Sequence, residues 1–214
     1  MSRAIALLLG LAALAACSEP TERAATTDSA EAALAGAAAA PPEVVVTEAS
    51  FRCIRDMTPV RGFYVDNLLG ELEATVAIAE SPTGGVYPPG SMVQLIPTEV
   101  MVKHQPGYNA ETSDWEFIEL DVTADGAAFR GRGFADVNNQ FGGNCFNCHR
   151  RAEAEWDMIC EQTHGCDPIP LTPAMFRGIQ NTDPRCPTID LPPDQIEALA
   201  ALAAFQAGPP PGDN

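Results

Sequence analysis

The chain has 214 residues, with 12 Lys and Arg against 29 Asp and Glu, for a formal net charge of −17. So acidic a surface repels nucleic acid, which excludes that class of partner, and it suits a basic redox partner; solubility explains the charge equally well. The length allows one domain of about 160 residues with a hydrophobic core.

The N-terminus has the features of an export signal. Arg3 supplies a positive charge, and the apolar run after it is too short to span a bilayer. The run ends in Leu-Ala-Ala-Cys at Cys17, which resembles a bacterial lipobox; an ordinary secretory signal is the alternative. We therefore expect a signal peptide over 1–16, a lipid anchor at Cys17, and a periplasm-facing location in the cell envelope, on the outer membrane.

Composition divides the remainder of the chain. Residues 17–42 are rich in Ala, Thr and Pro without apolar periodicity, which predicts a flexible tether. A single domain is expected over 43–208, followed by a disordered tail over 209–214.

Strand patterns fill the first part of the domain. They predict strands over 59–65, 91–96, 99–104, 115–122 and 127–134, with a hairpin turn at Asp125-Gly126. The segments 91–96 and 99–104 are either two strands or one strand bent at Pro97. A helix is expected over 67–80, capped by Asp66 or Asn67. The tail has a loop with many prolines and a last amphipathic helix over 193–206. The pattern predicts an α+β fold, mainly an antiparallel β-sheet with packed helices.

One motif carries the chemistry. Cys145, Cys148 and His149 form C-x-x-C-H, the attachment signature of c-type haem. Two thiols one helical turn apart can form thioethers with the haem vinyl groups, and the next imidazole can bind the iron as proximal ligand. A helix is expected to start at this motif and continue to about residue 158. The cofactor prediction is one covalently attached haem c; a redox dithiol or part of a zinc site is the alternative.

The other cysteines fit an exported protein. Apart from Cys17 and the motif, four of the seven remain, and an even number suits two disulfides. Cys160 with Cys166 and Cys53 with Cys186 is the favoured pairing among three possible ones. A zinc site made by these four is the runner-up.

Four short pieces, in order, resemble the cytochrome P-460 family, which includes the cytochromes c′-beta. They are Arg-Gly-Phe-Tyr-Val-Asp at 61–66, Tyr-Pro-Pro-Gly-Ser-Met-Val at 87–93, Asp-Trp-Glu-Phe at 114–117, and the motif itself. The resemblance covers about 60–150 and implies a mainly antiparallel sheet with helices, a haem motif late in the chain and a homodimer. It also places Arg61 near the distal face of the haem, as a hydrogen-bond donor; a surface arginine paired with a carboxylate is the equal alternative.

The resemblance also bears on catalysis. Members of this family that oxidise hydroxylamine cross-link a lysine to the haem, and Leu95 stands at or next to the matching position. Lys103, the only lysine in the chain, lies eight residues later and faces the haem only if the register is shifted. The possible distal residues are therefore Lys103, His104, Met101 and Leu95, with Met175 further downstream and Phe117 and Phe141 as candidates for an apolar wall.

These patterns favour a lipid-anchored monohaem cytochrome that transfers electrons to a redox partner, binds a small gas such as NO, or does both. An oxidoreductase acting on hydroxylamine or another small nitrogen compound is the alternative. The leucine at position 95 makes this alternative less favoured, because leucine cannot form the cross-link to haem. A disulfide-stapled exported protein with a zinc or dithiol site is the second alternative.

Overall fold

The core of the fold is one antiparallel sheet whose six strands pair in chain order. The computed structural model describes residues 40–207, and those from Pro41 onward form one compact unit. The strands are β1 Thr58–Val60, β2 Phe63–Asn67, β3 Ser91–Ile96, β4 Glu99–Lys103, β5 Trp115–Thr123 and β6 Gly126–Gly133. Four helices lie mostly in the C-terminal part: α1 Leu72–Ala79, α2 Cys145–His149, α3 Pro173–Asn181 and α4 Pro193–Ala207. The predicted α+β fold class is confirmed.

Apolar side chains cover both faces of the sheet because successive residues of a strand point to opposite sides. One face, here called the motif face, carries Val65, Met101 and Phe117 and packs against α1 and Phe146 of α2. The opposite face packs against the N-terminal segment through Val100, Val102, Ile118 and Leu120, with Val44, Phe51, Ile54 and Met57. The motif therefore lies against one side of a sheet that is buried on both sides.

Two turns differ from the sequence prediction. The single strand predicted over 59–65 is a hairpin, because Arg61 adopts a left-handed conformation (φ 51°) and Val60 pairs with Phe63. The hairpin after β5 forms as predicted, but Thr123 pairs with Gly126, so its two turn residues are Ala124 and Asp125.

Helix limits also differ. The helix predicted over 67–80 begins only at Leu72, because the Asn67 side chain accepts hydrogen bonds from the backbone N–H groups of Leu69 and Glu71 (2.8 and 3.2 Å) and holds a turn there. The helix predicted from the motif to residue 158 ends at His149. Arg151 and Ala152 donate to carbonyls three residues back, at 3.1 Å each, and this tight turn ends the helix.

The proline-rich tail contains a helix, α3, where a loop was predicted. Thr172 caps it by accepting from the backbone N–H of Met175 (3.2 Å), and Pro173 occupies its first turn. Its Gly178 lies against Leu199 of α4, where a Cβ would come within 2.8 Å of the leucine side chain. The last helix is found as predicted, one residue longer.

Two disulfides fasten the domain. Cys53 is bonded to Cys186, 133 residues away, and Cys160 to Cys166, which is the pairing the sequence favoured. These four thiols are therefore not available to zinc. The expected signal peptide, the lipid anchor at Cys17, the 209–214 tail and nearly all of the tether lie outside the described residues. Within 40–207, no helix combines the length and apolarity needed to cross a bilayer.

Candidate functional site

A cleft opens on the motif face beside α2. It encloses about 550 Å³, part of which is open to solvent. Cys145, Cys160 and His149 line it from the motif side and Glu99 from the strand side. The rest of the wall is mainly apolar and includes Phe63, Val93, Leu95, Met101, Phe117 and Ile159. The cleft has the composition of a cofactor pocket, with few polar groups among hydrophobic ones.

The sequence around the motif fixes its position. Asn144 caps α2 by accepting from the backbone N–H of Asn147 (2.8 Å) and donates its own amide hydrogens to the carbonyl of Ala135 (2.9 Å). Phe146 is buried in the core of the motif face. These contacts hold the helix against the sheet, with Cys145 partly buried and Cys148 exposed.

His149 is held in a defined orientation. Its Nδ1 donates to the carbonyl of Met158 at 2.7 Å, since a carbonyl oxygen can only accept, and its ring packs 5.4 Å from that of Phe117. The bond fixes the tautomer in which Nε2 carries a lone pair. Burial lowers the pKa of His149, which keeps the imidazole neutral. The residue is therefore prepared to bind a metal ion through Nε2.

The motif thiols are free, and the pKa of each is raised. Burial, with the nearby charges of Glu99 and Glu119, raises the pKa of Cys145 to about 12. The pKa of Cys148 is also raised, mainly by burial. Redox dithiols of the C-x-x-C type work through a thiolate with a lowered pKa. The arrangement is therefore unlike that of a thiol–disulfide oxidoreductase.

Two carboxyl groups are paired across the sheet, and one of them, Glu99, lines the cleft. Glu99 and Glu119 are paired across β4 and β5, and Glu119 is 1% exposed. Glu99 accepts from the side chain of Asn139 (3.0 Å), and Glu119 accepts from the backbone N–H of Gln140 (3.0 Å). Burial raises the pKa of each to about 7, and for Glu99 the charge of Glu119 adds to the effect.

This pair predicts a stability that falls as pH rises. In the unfolded chain a glutamate ionises near 4.5, whereas in the fold these two ionise near 7, so the folded state binds more protons in between and loses stability across that interval. Glu119→Gln removes the penalty and should raise the free energy of unfolding at pH 8 by about 1–3 kcal/mol, with little gain near pH 4. Urea denaturation at both pH values measures this. Glu73→Gln, at an exposed position of α1, is the control and should show no such gain; equal gains for both variants contradict the prediction.

The structure separates the predicted distal residues. Leu95 and Met101 line the cleft, as does Phe117. Lys103 lies further along β4, where its Nζ contacts both carboxylate oxygens of Asp157 (2.7 and 2.8 Å). His104 is buried elsewhere and contacts Glu116 through Nε2 at 2.9 Å.

The other candidates lie apart from the cleft lining. Arg61 occupies the β1–β2 turn and binds Glu161 through two hydrogen bonds, which raise the pKa of the guanidinium. Phe141 is 52% exposed. Met175 lies in the first turn of α3, where its sulfur is 3.5 Å from the backbone nitrogen of Thr172.

A covalently bound haem fits the residues that are present. Cys145 and a neutral histidine with an available Nε2 line the same apolar cleft, and the second free thiol, Cys148, lies three residues after Cys145 on the same short helix. Cys145 and Cys148 would hold the haem, and His149 would bind its iron. Within residues 40–207, no group of three or more His, Cys, Asp or Glu side chains is arranged to hold a metal ion by itself.

Sequence reasoning missed three parts of this site. Met158, whose carbonyl fixes His149, contributes only its backbone, for which no sequence signal exists. Asp157 and the Glu99–Glu119 pair are ordinary acidic residues until the fold buries them. For the pair, the one available signal was the place of each glutamate among apolar residues of a strand.

Comparison with known protein families, curated proteins and solved structures gives no match to this chain.

Proposed function

We propose that the chain is a monohaem c-type cytochrome, with thioethers at Cys145 and Cys148 and His149 as proximal ligand. The observation that supports this most is a free thiol, Cys145, and an oriented imidazole on one apolar cleft, with the free thiol of Cys148 on the same helix. When bound, a haem supplies an iron that changes oxidation state and can take a further ligand. The protein binds and orients it: Met158 fixes the imidazole tautomer, and the apolar walls exclude water.

The proposed role is electron transfer, small-gas binding such as that of NO, or both. Leu95 and Phe117 offer no ligand atom to an iron, which favours an open sixth position, whereas the thioether of Met101 can fill one. Lys103 is bound to Asp157, so its amine is occupied by another contact, and hydroxylamine oxidation is the less favoured activity. Resonance Raman spectra of the ferrous protein with and without NO, for wild type and Met101→Leu, distinguish a filled from an open site.

The proposed setting is the bacterial cell envelope, lipid-anchored at Cys17 and facing the periplasm. Two disulfides suggest an oxidising compartment. We propose a relation to the cytochrome P-460 and c′-beta family, which the antiparallel sheet and the late motif support. The homodimer is proposed on that resemblance, and a basic redox partner on the charge of −17.

The haem proposal predicts a covalent product. Full-length chain made in a host that attaches haem c should give a pyridine haemochrome spectrum and one haem of added mass, because Cys145 lines the cleft and Cys148 follows it with the C-x-x-C spacing. Cys145→Ser/Cys148→Ser should carry no covalent haem, and each single variant should keep at most one thioether with a shifted haemochrome band. As a control, Cys160→Ala/Cys166→Ala should retain the haem. Wild-type protein without added mass contradicts the proposed function.

A further inference from the structure

Asp157 is the centre of a buried set of contacts next to His149. Its carboxylate accepts from Lys103 Nζ (2.7 and 2.8 Å) and from the backbone N–H of Tyr87 (2.9 Å). Its carbonyl accepts from the indole Nε1 of Trp115 (2.7 Å). Asp157, Lys103 and Trp115 are 7%, 5% and 0% exposed. The main chain and the side chain of one residue are therefore both fixed to the sheet.

The backbone at this point is held in an uncommon conformation. Asp157 and Met158 have φ values of 47° and 67°, both left-handed and neither glycine. Such residues persist where surrounding contacts determine them, and they concentrate at functional sites. The consequence here is geometrical: the second of the two, Met158, directs its carbonyl at His149 Nδ1, 2.7 Å away.

We propose that Asp157, held by Lys103 and Trp115, is a positioning residue that sets the tautomer and orientation of His149 through the Met158 carbonyl. The inference rests on the proposed function in that His149 is the proximal ligand, and it adds three residues that support this ligand from outside the cleft. Groups of this kind orient a metal-binding histidine and raise its basicity. Buried ion pairs contribute little to stability compared with apolar residues of similar size, and the proposal gives this pair a positioning role.

The test follows the Nδ1 proton of His149 in full-length protein labelled with ¹⁵N-histidine. The chain has three histidines, so assignment is direct. Haem-loaded protein is measured as the diamagnetic ferrous–carbon monoxide form, and the Fe–His stretching band of the ferrous protein is a second readout. The variants are Trp115→Phe, which removes one donor, and Asp157→Ala. Asp183→Ala is a matched control, because Asp183 is also a buried carboxylate that accepts from a cation, Arg185, and from a backbone N–H.

In wild type we expect one tautomer with a slowly exchanging Nδ1 proton. In Trp115→Phe and Asp157→Ala, exchange should accelerate at least about fivefold, as expected when a hydrogen bond is weakened, and the Fe–His band should shift to lower frequency. Lys103→Met/Asp157→Asn should restore slow exchange, since the asparagine oxygen can still accept from Tyr87, and Asp183→Ala should leave His149 unchanged.

Unchanged exchange in folded Trp115→Phe and Asp157→Ala overturns the inference, as does equal acceleration in Asp183→Ala. If Asp157→Ala does not fold, Trp115→Phe decides, because it keeps an aromatic side chain in the core and removes the indole N–H donor. Absence of haem in wild type overturns the proposed function instead; the exchange comparison is then made on the haem-free chain and still judges the inference.

Discussion

Replacing Cys53 and Cys186 together by alanine is expected to lower the free energy of unfolding by about 4–5 kcal/mol. The bridge joins residues 133 positions apart, and closing so long a loop removes much of the conformational entropy of the unfolded chain. It also joins the segment before β1 to the segment between α3 and α4. Guanidinium denaturation of both proteins under non-reducing conditions measures the difference.

The second disulfide provides the comparison for this experiment. Cys160 and Cys166 are six positions apart, so Cys160→Ala/Cys166→Ala should cost only about 2 kcal/mol on the same entropy argument. If the two double variants lose the same stability, loop length does not govern the effect. If the Cys53→Ala/Cys186→Ala protein is as stable as wild type, the long bridge contributes nothing.

Lys103→Met is expected to destabilise the fold by about 3–5 kcal/mol, since it leaves the carboxylate of Asp157 buried without its cation. Burial raises the pKa of Asp157 even with Lys103 present. A raised pKa in the folded state means that stability is lost as pH increases, so the cost of Lys103→Met should be smaller at pH 5 than at pH 8. Urea denaturation at the two pH values measures this.

The double variant Lys103→Met/Asp157→Asn tests the cause of that loss. Because it replaces the ion pair by neutral groups of similar size, it should recover most of the stability and lose the pH dependence. Arg185→Met, which breaks the buried Arg185–Asp183 pair at a distant position in the chain, should destabilise without altering the haem spectrum. A Lys103→Met protein as stable as wild type would contradict this prediction, since it would show that removing Lys103 from the ion pair does not change the free energy of unfolding.

The sequence predicted strands β3 to β6 better than it predicted the first hairpin and the start of the first helix. Strands β3 to β6 follow alternating or continuous apolar patterns, and these patterns are local, so they can be recognised without the fold. The β1–β2 hairpin was missed because its turn places Arg61, which is not a typical turn residue, at positive φ. The start of α1 was misplaced because the side chain of Asn67 stabilises a turn where a helix cap was predicted.

The site was predictable to the extent that its chemistry is local. Cys145, Cys148 and His149 are adjacent in sequence, so the motif is visible in the chain. The group that orients His149 is a backbone carbonyl nine residues away, and the residue before it, Asp157, is bound by a lysine on β4. Distal candidates were recognised by residue type or, for Leu95, by the resemblance to a known family. Only the fold shows that Met101 lines the cleft while Lys103, two residues along the same strand, is bound to Asp157.

The order of the cysteines along the chain determines which disulfides could form first during maturation. The Cys53–Cys186 bridge encloses the other four cysteines of the described region, and Cys145 is the first thiol to follow Cys53 along the chain. Oxidation in order of synthesis would join Cys53 to a motif thiol and block haem attachment. Cys53 is 5% exposed in the fold, so early burial by the sheet would protect it until Cys186 is made. If haem is attached as proposed, one compartment would oxidise four thiols and leave two reduced.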